Sequence, residues 1–80
     1  MTKQALEALN EKQLTYCRTM GVIIHRADVL GLAHEEEHAR GKLRGFLECL
    51  CQMGIITGGG LRCLYIYFTT AGGQSNENIL

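Results

Sequence analysis

The clearest pattern in the chain is a stripe of apolar and small residues, Ala39, Leu43, Phe46, Leu47, Leu50 and Gly54, set three and four apart. That spacing lays one continuous band along four turns of an α-helix. Glu35, Glu36 and Glu37 precede it, where negative charge meets the positive end of the helix dipole, so His34 is its expected start. Gly54 is its expected stop. Upstream, Ala5, Leu6, Ala8 and Leu9 fit one short helix, and Asn10 followed by Gln13 reads as a cap for a second start, so either one bent helix or two short ones would fit. Leu14, Cys17 and Met20 continue at helical spacing until Gly21, which is read as the glycine just past a helix end.

Three segments are expected to be other than long helix. The run Val22, Ile23, Ile24 is β-branched throughout and suits one strand of a small sheet. Residues 26–32 offer a brief helix with Val29 and Leu30 inward. After the long helix, residues 55–57, the triplet Gly58, Gly59, Gly60 and residues 61–69 predict strand, tight glycine loop, strand. In the second of these strands Leu64, Ile66 and Phe68 alternate with Cys63, Tyr65 and Tyr67, placing one set on the helices and the tyrosines nearer water. Residues 73–80 are polar and unpatterned, a C-terminal tail on a single domain spanning residues 1–72.

Composition narrows the class more than the function. With 80 residues, 46% hydrophobic and 20% charged, the chain suits one globular domain with a modest core. Eight Lys plus Arg balance eight Asp plus Glu, so no global field draws the protein to nucleic acid or an anionic membrane. No apolar run reaches the roughly 18 residues that span a bilayer, and the start lacks the pattern of a secretory signal, so a cytoplasmic location is expected. Cys17, Cys49, Cys51 and Cys63 are then expected as reduced, mostly buried thiols.

The order helix, short strand, short helix, long helix, glycine-tipped hairpin resembles a winged helix-turn-helix domain from about Asn10 to Gly72, in the manner of small bacterial or phage regulators. The segment ending Cys51, Gln52, Met53, Gly54, Ile55, Ile56 looks like a recognition helix turning into a wing. The segment ending Tyr67, Phe68, Thr69, Thr70, Ala71, Gly72 is similar to a second wing strand. The resemblance implies an α+β, mainly α fold of three to four helices closed by a C-terminal β-hairpin wing. It also implies that the long helix enters the major groove of double-stranded DNA, with Arg40, Lys42 and Arg44 on the helix and Arg62 on the wing as contacts. Residues 38–62 hold those four cations and one acid, Glu48, but the glutamate triplet stands where phosphates would repel it.

Other candidates carry less. His34, Glu35 and His38 match the zinc-binding H-E-x-x-H spacing, but Arg44 stands where the longer metallopeptidase pattern needs a third histidine, and a cation cannot ligate zinc. Cys49 and Cys51 lie about 200° apart on a helix and cannot share one ion unless it breaks. No metal, cofactor or catalytic residue is therefore expected. Gly41 and Gly45 fall opposite the apolar stripe; each costs a helix interior about 1 kcal/mol, which suits either simple tolerance or close approach of a second helix in a homodimer or of another partner. Tyr65 and Tyr67 are surface residues that would also suit a protein interface.

Two functions remain open on the sequence. The first is a small DNA-binding transcriptional regulator, dimeric, using Arg40, Lys42, Arg44 and Arg62. The alternative is a protein-binding winged helix, an adaptor or inhibitor that does not bind DNA, which zero net charge and the glutamates favour. Both readings lean on the long helix and the hairpin after it.

Overall fold

In the computed structural model, which describes residues 2–70, the chain is a bundle of four helices: α1 (Thr2–Glu7), α2 (Glu11–Val29), α3 (Ala33–Gln52) and α4 (Gly58–Thr69). Among the described residues there is no strand. The α+β class and the winged helix-turn-helix resemblance are thereby overturned: the fold is all-α, and the segment expected to form the wing is a helix.

Local chemistry explains each boundary. At the start of α2 the Asn10 side-chain oxygen accepts from the Gln13 backbone N–H at 2.8 Å, and the Gln13 side chain accepts from the Asn10 N–H at 2.9 Å. This capping box satisfies two of the backbone donors that a helix start leaves open. The ends of α2 and α3 share one geometry. Gly31 and Gly54 both have positive φ, +72° and +79°. Leu32 N–H returns to the Ala27 carbonyl and Ile55 N–H to the Leu50 carbonyl, the long-reach bond of a glycine-terminated helix.

The corrections concern α2 and α4. Gly21 is not a stop; it is buried in the middle of α2. There the helix runs through Val22, Ile23 and Ile24, the expected strand, and absorbs most of the expected brief helix at 26–32. The reason is tertiary. Cys17, Met20, Gly21, Ile24 and Ala27 form a buried helical stripe that crosses the glycine without a break, and packing overrides the weak strand preference of β-branched residues. A Cβ at Gly21 would lie 2.7 Å from the Phe68 carbonyl oxygen, so α4 crosses α2 at a point where only glycine fits without adjustment.

The same holds for the glycine triplet. Thr57 caps α4 by accepting from the Gly60 N–H at 2.9 Å, which draws Gly58, Gly59 and Gly60 into the first helical turn. Residues 55–57 form the bend before that cap instead of a strand. Leu61, Leu64, Tyr65 and Phe68 then follow at intervals of three, one and three, a helical stripe that fits the segment as well as strict alternation does. The proposed tail at 73–80, and the last two residues of the expected wing strand, lie outside the described residues.

Helices α2 and α3 form an antiparallel pair, and α4 packs on both as well as on α1. The centre consists of Cys17, Leu43, Leu47 and Leu64, all at 0% exposure, with Ile24 and Phe68 beside them. Ala5 and Leu9 close one side of this cluster near Ile56 and Gly60. No polar or charged side chain among the described residues is buried, so the chemistry of the domain lies on its surface.

Candidate interaction site

The four cations expected to act together do not share one surface. Positions 40, 42 and 44 are two apart, and two residues rotate a helix by about 200°, so Lys42 leaves the flank that carries Arg40 and Arg44. Lys42 borders a hollow between α2 and α3, with Met20, Ile23, His34 and His38. Arg40 and Arg44 turn toward α4.

Arg40 is committed to its own helix. Its Nε and Nη2 donate to one oxygen of Glu36, at 3.0 and 2.8 Å. That carboxylate raises the guanidinium's already high pKa, against a smaller opposing effect of burial, and Tyr65 of α4 adds a second, weaker interaction. Arg40 thus joins the expected helix candidates to the expected interface tyrosine, but as a tie between α3 and α4.

Beyond that tie lies a cleft of about 250 Å³ lined by Arg44, Leu61, Arg62, Tyr65 and Ile66. It brings together two of the cations from separate parts of the chain. Arg44 Nε stands 3.7 Å from a Glu48 carboxylate oxygen with both side chains well exposed, a loose ion pair beyond hydrogen-bond distance. Leu61 and Tyr65 are half-buried, and Ile66, a large apolar side chain, is 53% exposed at the edge. Tyr67 is on another flank, half-buried, with its ring set edge-on to Phe68 at 5.1 Å. It does not join Tyr65.

Gly41 and Gly45 do share the outer face of α3, and a Cβ at either would touch nothing within 4 Å. Among the described residues, therefore, nothing approaches them closely. The surface over Gly41 is a shallow depression bordered by His34, Glu37, His38 and Lys42. Among the described residues no three His, Cys, Asp or Glu side chains converge as a metal site. The cysteines are free, but of the four only Cys17 is buried; Cys49 is exposed and Cys51 and Cys63 are intermediate. Among the described residues no helix is long and apolar enough to cross a membrane.

Sequence reasoning did not flag the exposed apolar group at the α2–α3 turn, where Val29 is 68% and Leu30 62% exposed. The expected inward position of both came from ending the helix too early. A strand over residues 61–69 would put Leu61 and Tyr65 on the face opposite Arg62 and Ile66, whereas the helix brings all four to one cleft. Comparison with protein-family models, with curated proteins and with solved structures gave no match for this chain.

Proposed function

We propose that this domain is a protein-binding module, an adaptor or inhibitor that works by docking. With the wing gone, the fold itself no longer argues for DNA, and the reading rests on where the side chains stand. The observation that carries it is the division of the positive charge. Arg40 is tied to Glu36 and Lys42 lies on the far flank of α3, which leaves only Arg44 and Arg62 side by side. A surface that grips duplex DNA through its phosphates needs a continuous row of available cations. Large apolar side chains, by contrast, stand in water at Val29, Leu30, Met53 and Ile66, and such residues are what protein interfaces cover.

DNA binding is the second reading, supported by one observation: Arg44 and Arg62 border the same cleft. Salt dependence separates the two. Two phosphate contacts lose about tenfold in affinity between about 50 and 200 mM salt, whereas six lose about a thousandfold. Fluorescence anisotropy of labelled random duplex DNA is expected to show weak binding at the lower salt and none at the higher. Submicromolar binding with the steeper loss would overturn the protein-binding reading.

A further inference from the structure

We propose that the cleft between α3 and α4 receives an acidic, amphipathic segment of a partner protein, with carboxylates at Arg44 and Arg62 and an apolar side chain laid between them. This inference rests on the protein-binding reading above and names the partner's chemistry. Three observations converge on it. First, the cleft sets charge beside apolar surface: Arg44 comes from α3 and Arg62 from α4, while Leu61 and Ile66 supply the apolar surface. Second, both guanidiniums retain donors. Arg44 sits 3.7 Å from Glu48, too far for a hydrogen bond, and no ion pair among the described residues involves Arg62. A guanidinium with a free fork is suited to a carboxylate, which it can meet through two parallel hydrogen bonds.

Third, the cleft is small and its walls are braced. Its volume of about 250 Å³ falls below the roughly 300–1,000 Å³ of pockets that enclose small molecules, which suits one or two side chains of a longer segment. Leu43 and Leu47 anchor α3, and Leu64 and Phe68 anchor α4, in the common core. The surface is therefore formed before the partner arrives, which lowers the ordering cost of docking. A nucleic acid fits less well, because phosphates offer nothing to Ile66 and Leu61.

The test is selection of a displayed library of random 16-residue peptides on the full chain, followed by NMR with isotope-labelled protein. Enriched peptides are expected to place Asp or Glu on both sides of a Leu, Ile or Phe. Their amide shifts are expected at Arg44, Leu61, Arg62, Tyr65 and Ile66. The double variant Arg44→Glu, Arg62→Glu is expected to bind roughly tenfold or more weakly, since it turns two attractions into repulsions. Ile66→Ser tests the apolar half independently, and circular dichroism checks that each variant keeps its helices. Enriched peptides that shift only other faces, or that bind both variants as tightly as the unaltered protein, overturn the cleft while leaving the protein-binding reading intact. Absence of any enriched peptide overturns the cleft as well. Duplex DNA shifting the cleft residues with the steep salt dependence described above overturns both.

Discussion

Gly21, Gly41 and Gly45 all lie inside long helices, and the same substitution to alanine is expected to have opposite effects at them. On an exposed helix face, alanine in place of glycine gains about 0.5–1 kcal/mol by restricting the unfolded chain. Gly41 and Gly45 meet that condition, because an added Cβ at either touches nothing. At Gly21 the same gain is opposed by a contact of 2.7 Å with the Phe68 carbonyl oxygen. Carbon and oxygen in comfortable contact stand about 3.3 Å apart or more, so about 0.6 Å has to be relieved. The obstacle is backbone and cannot rotate aside; α4 has to move off α2. Overpacking of this kind costs about 1–3 kcal/mol, enough to cancel the propensity gain and, at the upper end, to exceed it by about 2 kcal/mol.

For a domain of this size 1 kcal/mol moves Tm by about 4–8 °C. Gly41→Ala and Gly45→Ala are each expected to raise Tm by several degrees, and Gly21→Ala to lower it by up to about 16 °C, in thermal melts followed by far-UV circular dichroism. Urea titrations give the free energies directly. Gly21→Ala melting as high as Gly41→Ala would refute the reasoning, for it would mean that α2 and α4 do not meet at that glycine.

Other consequences can be measured on the same footing. Leu64→Ala, at a side chain with 0% exposure, is expected to cost about 2–5 kcal/mol, a large part of the 5–15 kcal/mol typical of a whole domain, and to show as a much lower urea midpoint. Thr57→Ala removes the cap on α4 and is expected to cost about 1 kcal/mol, with Thr57→Ser close to neutral in the same titration. Burial pushes the Cys17 thiol up to about 11. A disulfide reagent at mildly alkaline pH is therefore expected to modify exposed Cys49 quickly and Cys17 only as the domain opens. The folded state holds that proton after the unfolded chain has released it, so stability is lost as pH rises from about 9 through about 11. Cys17→Ala is expected to flatten that decline in pH-dependent urea titrations.

The parts of the fold that could be read from the chain are those where local chemistry and packing agree. The stripe along α3, the Asn10 and Gln13 cap and the Gly54 stop each have a short-range cause. The failures came where packing reverses a local preference. Gly21 looks like a terminator, yet it is the point where another helix presses on the backbone, and nothing near it in sequence announces Phe68. Gly58, Gly59 and Gly60 look like a loop until Thr57 is recognised as a cap. The stripe Leu61, Leu64, Tyr65, Phe68 was available to counting, but the aromatic and β-branched alternation competed with it on equal terms. For the site, helix arithmetic alone separates Lys42 from Arg40 and Arg44. That Arg62 stands across a cleft from Arg44 depends on α4 being a helix at all.

The pairing of α1 with α4 joins the two helices farthest apart along the chain. As the polypeptide leaves the ribosome, α2 and α3 can zip together through nearby residues, but Leu64 and Phe68, which complete the centre, are made last. Until then the apolar faces around Ile24 and Leu43 lack the cover of α4, and α1 lacks its main neighbour. Assembly therefore waits for the final helix, and a nascent chain stalled before residue 58 exposes a greasy hairpin to chaperones and proteases.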